Sequence, residues 1–370
     1  MRIAFNASIV DHILSGLGVY TVNLLKELAK LHTDLVVYTS CPEVCGVDLA
    51  GMRKISQLVR PSHGRKGHLR RLAWIQASLP LRLLADKASL ILSPVPEGML
   101  LPPVPQVVVV HDLIPLHFRD SFPRHYHYFR YILPAILRRA RAIVADSENT
   151  RRDLKTFYGL ESNRIHIVPG GYDQHYYRMG IDPAPVKKEC GLEAYLLYVG
   201  NLLPHKNLQR LLQAFALIST KVPHQLAIAG KKDPRYLPAL EAEARALGLA
   251  ERVKFLDYIS PAHLPALYAG AEAAIFPSLY EGFGLPILES MACGTPVIAS
   301  HAASLPEVTG EAATLIDPYS VKGMADAIEA VLRDSETRED MKRRGVEQAE
   351  RFSWRRTALK VLRVLEAVGG

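Results

Sequence analysis

Two glutamates, Glu281 and Glu289, flank a glycine-containing loop, and their type and spacing suit them to bind a ligand. They lie in the stretch IFPSLYEGFGLPILESMACGTPVI (residues 275–298), where an apolar strand is followed by the loop and then by a helix. Pro286 suits the first turn of that helix because proline has no N–H to leave unsatisfied. Glu289 would then lie about one turn into the helix, near its positive end. Carboxylates beside exposed backbone amides can bind a ligand that carries both hydroxyl groups and phosphates.

Either glutamate alone is more often a turn residue or a residue that balances the helix dipole, but their combination is distinctive. The sequence E-G-F-G-L-P, with a second glutamate eight residues after the first, resembles the E-x7-E signature of retaining glycosyltransferases of family 4. The resemblance continues into M-A-C-G-T-P-V-I-A (residues 291–299) and extends over essentially the whole chain. It implies a GT-B fold and a nucleotide-sugar donor.

The resemblance also implies a role for each donor-site residue. Glu289 would accept hydrogen bonds from the ribose hydroxyls, and Glu281 would orient the sugar together with loop amides. The base would rest against the backbone near Tyr258 and Ile259. The residues predicted to bind the donor are Gly16, Gly18, Gly200, Asn201, His205, Lys206, Asn207, Tyr258, Ile259, Glu281, Gly282, Phe283, Gly284, Leu285 and Glu289.

Lys206 precedes Asn207 at a predicted helix start. A lysine there is usually a surface residue, but the context G-x-x-x-x-x-K-N resembles that of the family's diphosphate-binding lysine. Its charge would stabilise the bound phosphates and the departing nucleoside diphosphate. Many relatives pair this lysine with a preceding arginine, whereas this chain has Asn201 nearby, so His205 or an arginine of the first domain would have to supply the second cation. The same difference occurs in a branch that includes bacterial mannosyltransferases of polysaccharide assembly, and it favours GDP-mannose.

The run VPQVVVVHDLIPL predicts a parallel strand buried on both faces and ending near His111. Ligands of open α/β sheets bind at such strand ends. A histidine there is as often structural, held by a neighbouring carbonyl. The pattern H-D-L-x-P also resembles the family's loop whose histidine contacts the transferred sugar. With Glu281 and Lys206, His111 completes the predicted catalytic residues.

The loop after the first strand runs through Asp11 to S-G-L-G-V-Y, and we predict a helix from Asn23. Gly16 and Gly18 stand where a Rossmann-like unit makes its strand-to-helix turn. Thr21 replaces the third glycine of the dinucleotide fingerprint, which argues against a dinucleotide-dependent oxidoreductase. In similar proteins this loop lies near the donor diphosphate and the acceptor, and we assign Asp11 to the acceptor.

These residues depend on strands that alternate with helices twice along the chain, which predicts an α/β protein of two doubly wound, Rossmann-like, parallel-sheet domains. We expect an acceptor-binding domain over residues 1–180 and a donor-binding domain over residues 188–350, facing each other across a central cleft as in GT-B. Residues 178–190 read as the linker. The last helix, residues 352–370, resembles the segment that crosses back to the first domain in that fold.

The positive charge is confined to the first half of the chain. Residues 1–180 hold 23 Lys and Arg against 14 Asp and Glu, and the remainder holds 22 against 23. Residues 53–87 concentrate the basic residues, and from about His68 they predict an amphipathic helix broken at Pro80. Such a face fits an anionic membrane surface, and an ordinary solvated helix explains it equally well. Nucleic acid is disfavoured because no binding motif accompanies the charge.

From the composition we expect a cytoplasmic protein. The basic segment suggests that it could bind peripherally to the inner face of the cytoplasmic membrane. No run approaches the about 20 apolar residues of a membrane span. MRIAFNASIV reads as a strand and not as a signal peptide. Four cysteines in 370 residues show neither a disulfide framework nor zinc-site spacing.

We therefore predict a retaining hexosyltransferase that transfers a sugar, best matched by mannose, to a glycan or a lipid-linked saccharide in cell-surface polysaccharide synthesis. No D-x-D triplet occurs in the chain, so we predict metal-independent transfer, without a cofactor, in which Lys206 and backbone amides hold the diphosphate. No covalent nucleophile is assigned, and the resemblance implies front-face displacement. The alternatives are a UDP-sugar donor, a nucleotide-sugar epimerase and a non-catalytic nucleotide-sugar-binding partner.

Overall fold

A computed structural model describes residues 1–370, and the chain forms two compact units. The first unit comprises Met1–Gly171 together with Trp354–Gly370. The second unit comprises Tyr172–Ser353. Each unit is built on one parallel sheet, which confirms the predicted α/β class.

The first unit contains a seven-stranded sheet with the order β3-β2-β1-β4-β5-β6-β7. All of its strand pairs are parallel. Strand β5 lies between β4 and β6 and has four fully buried valines, as expected for a strand covered on both faces. Its strands are β1 (Ile3–Asn6), β2 (Leu35–Thr39), β3 (Met52–Lys54), β4 (Leu90–Ser93), β5 (Gln106–Val110), β6 (Ala142–Ala145) and β7 (Ile165–Ile167).

The helices of the first unit follow the strands along the chain. A π-helical turn at Tyr128–Ile132 joins two of them, and three short 3-10 turns occur at Gln57–Val59, Pro61–His63 and Ser162–Arg164. The α-helices are α1 (Gly16–Leu31), α2 (Pro42–Cys45), α3 (Gly64–Ala85), α4 (Ile114–His117), α5 (Pro123–His127), α6 (Leu133–Arg139) and α7 (Glu148–Tyr158).

The second unit contains a six-stranded parallel sheet with the order β10-β9-β8-β11-β12-β13. This is the strand order of a doubly wound nucleotide-binding sheet. Its strands are β8 (Tyr195–Val199), β9 (Gln225–Ala229), β10 (Val253–Leu256), β11 (Ala273–Phe276), β12 (Val297–Ser300) and β13 (Ala313–Ile316).

Eight α-helices belong to the second unit, and a ninth returns to the first. A 3-10 turn at Pro204–Lys206 precedes the second of them. The last helix of the chain, at Trp354–Gly369, packs against α1 of the first unit. In order, these helices are α8 (Ala184–Cys190), α9 (Leu208–Ile218), α10 (Leu237–Ala246), α11 (Leu264–Ala269), α12 (Leu285–Ala292), α13 (Leu305–Thr309), α14 (Val321–Arg333), α15 (Ser335–Ala349) and α16 (Trp354–Gly369). None of the helices has the combined length and apolar character that a bilayer span requires.

The division between the units differs from the predicted boundary. It falls at Gly171, and the predicted linker, residues 178–190, lies inside the second unit. Its prolines and charged residues suggested an exposed connection, but Val186 of α8 is buried beside Leu192 and Tyr195. A single buried face is sufficient to fix this short helix against the second unit.

Two helices begin earlier than predicted. Helix α1 starts at Gly16 and not near Asn23, because Ser15 caps it by accepting a hydrogen bond from the Gly18 N–H. Helix α3 starts at Gly64 instead of His68. The short edge strand β3 was not predicted, since its three residues have no apolar alternation.

The predicted break at Pro80 is also wrong, because α3 continues to Ala85. A proline inside a helix costs about 3 kcal/mol. Ile75, Leu79 and Leu83 recur every four residues on one face, and all three are fully buried. Burial of each such side chain contributes about 1.5–3 kcal/mol, which outweighs the cost of the proline.

Candidate active site

The two loops that carry the predicted diphosphate and sugar residues follow neighbouring strands. In the second sheet, β8 and β11 are adjacent, and the chain moves outward from them in opposite directions. Ligands of doubly wound sheets bind at the carboxyl ends of strands at such a switch point. The loop after β8 contains Gly200–Asn207, and the loop after β11 contains Pro277–Gly284.

Lys206 and Glu281, 75 residues apart in sequence, meet at this edge. The Lys206 Nζ lies 2.6 Å from Glu281 Oε1 and 2.7 Å from Oε2. Ser278 donates a further hydrogen bond of 2.7 Å to Oε1. Burial alone would raise the pKa of Glu281, but the charge and hydrogen bonds of Lys206 lower it below its usual value. Glu281 is therefore a carboxylate at neutral pH.

The loop after β8 is anchored by the residues on either side of Lys206. The His205 carbonyl accepts a hydrogen bond of 2.8 Å from the Leu279 N–H. Asn207 adopts a left-handed conformation (φ +63°), and its amide donates to the carbonyls of Pro277 and Pro318 at 3.0 and 2.7 Å. Burial and the charge of Lys206 lower the pKa of His205 to about 4. The imidazole is thus neutral and does not supply a second cation.

The start of the same loop requires a close approach between two backbones. Gly200 follows β8, and its N–H donates to the Ala229 carbonyl at the end of β9. A Cβ at Gly230 would lie 1.8 Å from the Gly200 carbonyl oxygen. The Asn201 carbonyl accepts a hydrogen bond from the Tyr198 hydroxyl. These contacts hold the first residues of the loop in one conformation.

The glycine loop leads directly into α12. Gly284 precedes the helix with φ +112°, a conformation that side chains rarely adopt. Leu285 is the first helical residue. The hydroxyl of Ser304, the residue before α13, donates to the Glu281 carbonyl at 2.9 Å and lies 3.2 Å from that of Phe283, so it helps to hold the loop. Gly282 and Phe283 are buried.

Glu289 lies in the second turn of α12 and is partly buried. The Tyr268 hydroxyl donates to its Oε2 at 3.1 Å, and Tyr177 also donates to the carboxylate. Burial raises the pKa of Glu289 to about 7, against the lowering effect of the two tyrosine hydrogen bonds. Tyr258 and Ile259 follow β10 at the same edge of the sheet; the first is exposed and the second packs into the core.

Comparisons with known proteins identify the family of this chain. A family model described as glycosyl transferases group 1 matches residues 186–348, and one described as glycosyltransferase family 4 matches residues 14–176. The O-antigen chain mannosyltransferase B of Escherichia coli is 30% identical, with 96% of each chain covered. The chain belongs to the family 4 glycosyltransferases.

Solved structures confirm that this glycosyltransferase has the GT-B fold. The sucrose-phosphate synthase of Thermosynechococcus elongatus superimposes with a TM-score of 0.79 at 21% identity, covering 99% of this chain and 98% of the other. Anabaena HepE in complex with UDP-glucose superimposes with a TM-score of 0.77 at 18% identity, covering 99% and 100%.

In the first unit of the glycosyltransferase, His111 follows β5 and pairs with Asp146, which follows β6. Its Nδ1 lies 2.5 Å from Asp146 Oδ2, and its Nε2 lies 2.8 Å from the Pro94 carbonyl oxygen. Both partners are acceptors, so both ring nitrogens act as donors. Burial alone would lower the pKa of His111, but Asp146 and the Pro94 carbonyl raise it above its usual value. The Tyr20 ring packs edge-on against the imidazole at 4.5 Å.

The predicted acceptor residue Asp11 is engaged by backbone. Its two carboxylate oxygens accept from the N–H groups of His12 and Ser62, at 2.8 and 2.6 Å. Asp11, His12 and Cys41 bring ligand-type atoms within 4.8 Å of one another. Arg60 Nη1 lies 2.9 Å from His12 Nε2, so a guanidinium already occupies the position beside this group. Gly16 and Gly18 lie in the first turn of α1.

Sequence reasoning missed four side chains that hydrogen-bond to the side chains of Glu281, His111 and Glu289. These are Ser278 at Glu281, Asp146 at His111, and the two tyrosines at Glu289. Asp146 had a readable signal, since it follows a predicted strand at the edge where ligands bind. The tyrosines had none, because Tyr268 lies on a short helix and Tyr177 in an irregular segment far from Glu289 in sequence.

Proposed function

We propose that this glycosyltransferase is a retaining enzyme that transfers mannose from GDP-mannose to a glycan or lipid-linked saccharide in cell-surface polysaccharide synthesis. The observation that carries the proposal is the Lys206–Glu281 pair at the β8–β11 switch point, directly before α12. The similarity to an O-antigen chain mannosyltransferase over 96% of the chain supports the sugar and the pathway class.

Each charged residue of the pair has a separate task in the proposed donor site. A diphosphate carries more negative charge than one carboxylate and is the stronger partner for the Lys206 ammonium. Glu281 would then turn its oxygens to the sugar hydroxyls, which are hydrogen-bond donors. Glu289 would accept from the ribose, and the backbone at Tyr258 would border the base. His111 of the first unit is kept as the proposed sugar contact; because its ring nitrogens bond Asp146 and the Pro94 carbonyl, it would have to release the Pro94 carbonyl to donate to a sugar hydroxyl.

The chemistry needs no covalent intermediate with the protein. The bond from the sugar's anomeric carbon to the phosphate oxygen breaks, and a bond to the acceptor oxygen forms on the same face. The acceptor hydroxyl proton passes to the departing phosphate, which leaves as the nucleoside diphosphate. Lys206 and the amides before α12 would stabilise the charge on that group, the role that a divalent metal has elsewhere. Glu281, ionised and paired, is unsuited to donate a proton.

GDP-mannose is favoured because residues 200–205, between β8 and Lys206, contain no arginine, and because His205 is neutral. A UDP-sugar is the second candidate, since Anabaena HepE binds UDP-glucose in the same fold. An epimerase would convert the donor sugar without an acceptor, and a non-catalytic partner would bind it unchanged.

A donor panel tests the proposal. The purified protein is treated with EDTA and incubated with radiolabelled GDP-mannose, UDP-glucose or UDP-galactose and a bacterial membrane lipid extract. Label from GDP-mannose should reach the lipid or glycan fraction, with retained anomeric configuration by NMR. Transfer from a UDP-sugar alone would refute GDP-mannose. An epimerised donor, no turnover with any donor, or activity restored only by added Mn²⁺ would refute the retaining, metal-independent transferase.

We also propose that the acceptor binds the first unit near Asp11 and that residues 53–87 dock on an anionic membrane surface. Helix α3 supports the proposed membrane docking, because Arg65, Lys66 and Arg70 are exposed and Leu69, between them, is 56% exposed. Arg71 does not belong to this face, contrary to the sequence-based prediction. It is buried and pairs with Glu97 through two hydrogen bonds of 2.7 Å.

A further inference from the structure

Three elements of the second unit converge on the Glu289 carboxylate. Glu289 is on α12, Tyr268 is on the short helix α11, and Tyr177 lies in the segment that opens the second unit. The two tyrosine rings meet edge to face with centroids 6.1 Å apart. Both phenols donate to the carboxylate, Tyr268 at 3.1 Å. The three residues are far apart in sequence.

The two phenols occupy only part of the hydrogen-bond acceptor capacity of the Glu289 carboxylate. An ionised carboxylate accepts hydrogen bonds through about four lone-pair positions and donates none. Two tyrosine hydroxyls fill two of these positions and also fix the plane of the group. Two positions remain for two further donors, which matches the adjacent hydroxyls of a ribose.

We infer that Tyr177 and Tyr268 are positioning residues of the donor site: their hydroxyls hold Glu289 as an oriented carboxylate that accepts both ribose hydroxyls of the nucleotide. The inference rests on the proposed function, because it takes Glu289 as the ribose-binding residue. It adds two side chains outside the glutamate motif and states what they do.

The surroundings of Glu289 make the ionisation of its carboxyl group sensitive to the hydrogen bonds from Tyr177 and Tyr268. No cation contributes to its pKa; burial raises it to about 7, and only the two tyrosines lower it. The Cys293 thiol follows the last residue of α12, and burial raises its pKa to about 12, so it stays neutral. Asp173 acts on Tyr177 from the opening segment. The hydrogen bonds from the two phenols thus stabilise the ionised form of Glu289.

This balance predicts how nucleotide binding varies with pH. Ribose hydroxyls donate to the carboxylate and not to the protonated acid, so binding should strengthen as the pH rises through about 7. Well below that pH, affinity should fall by about tenfold per pH unit, because the carboxyl must first lose a proton. Removal of one phenol raises the pKa of Glu289 further and moves the midpoint to higher pH.

The experiment measures the dissociation constant of GDP by calorimetry between about pH 5.5 and about pH 9. Tyr268→Phe and Tyr177→Phe should each shift the midpoint upward and approach the wild-type affinity at the alkaline end. Tyr195→Phe is the matched control: its buried hydroxyl belongs to the same core but donates to the Leu267 carbonyl, so its midpoint should stay. A uniform loss of affinity at every pH in the Tyr268 and Tyr177 variants would overturn the inference, because that is the effect of a structural role.

Glu289→Gln separates this inference from the proposed function. A glutamine that binds GDP as tightly as wild type would refute Glu289 as the ribose residue, and with it the proposed donor site. A Glu289→Gln variant with weakened and pH-independent binding supports the donor site. If the Tyr268 and Tyr177 variants then keep the wild-type midpoint, the positioning role alone is wrong.

Discussion

Lys206 and Glu281 neutralise each other in the structure, so removal of either one leaves the other with an unbalanced charge. Their side chains are only 13% and 16% exposed, and water screens the remaining charge weakly. An unpaired ammonium there would attract a diphosphate more strongly, whereas an unpaired carboxylate would repel it. Substitutions at the two positions should therefore affect nucleotide binding in opposite directions.

We expect Lys206→Ala to weaken GDP binding by about 10- to 100-fold, the value of a charge-assisted contact. Glu281→Gln should bind GDP at least as tightly as wild type and yet lose about 10²- to 10³-fold in transfer, because it lacks the carboxylate that orients the sugar. Calorimetry with GDP and label transfer from the donor give the two values. Lys221→Ala is the control, since it removes a half-exposed partner of Glu329 in the same unit and should change neither. Weaker GDP binding in Glu281→Gln would contradict the division of tasks.

At the level of elements, α3 combines a structural face with an exposed basic face. Ile75, Leu79 and Leu83 hold it against the sheet, and Arg71 is used internally by Glu97. The Arg71 guanidinium and its hydrogen bonds lower the pKa of Glu97 to about 2, against the effect of burial. Reversal of the charge at Arg71 would therefore lower the stability of the fold. Membrane docking is tested only by substitution of the exposed cations.

The triple variant Arg65→Glu, Lys66→Glu, Arg70→Glu should bind anionic vesicles more weakly than wild type. Each cation near such a surface contributes about 1 kcal/mol, or about fivefold in binding. Sedimentation with phosphatidylglycerol vesicles gives the bound fraction. The matched control reverses the same charge in the second unit at Lys322, Arg333 and Arg343, all at least 62% exposed. Equal losses in both triple variants, or no loss in the first, would count against α3 as the docking face.

At the scale of the whole molecule, the two units have separate sheets and separate cores. The chain contains two tryptophans, Trp74 and Trp354, and both belong to the first unit. Tryptophan fluorescence therefore reports unfolding of the first unit, whereas circular dichroism reports unfolding of both. A ligand that binds one unit stabilises that unit by mass action.

We predict that GDP raises the melting temperature of the transition seen by circular dichroism but absent from tryptophan fluorescence. At a GDP concentration 100 times the dissociation constant, the added stability is about 2.7 kcal/mol. Lys206→Ala at the same GDP concentration serves as the control and should show a smaller shift. A ligand shift confined to the tryptophan transition would place the nucleotide in the first unit, contrary to the proposed function.

Much of this architecture is readable from short stretches of sequence. A parallel strand covered on both faces needs a run of apolar, often β-branched residues, and such runs marked every strand of the second unit and all but β3 in the first. The two-sheet α/β fold and the family followed from local pattern and motif. Ligand-bearing loops could be assigned because the carboxyl ends of parallel strands share one edge.

The partners of the site residues depend on which strands and helices become neighbours. Lys206 meets Glu281 because β8 pairs with β11, and His111 meets Asp146 because β5 pairs with β6. Burial is likewise collective: it makes Arg71 an internal cation and raises the pKa of Glu289. Nothing in the sequence around a residue specifies these contacts, since strand order and burial are set by packing over the whole unit.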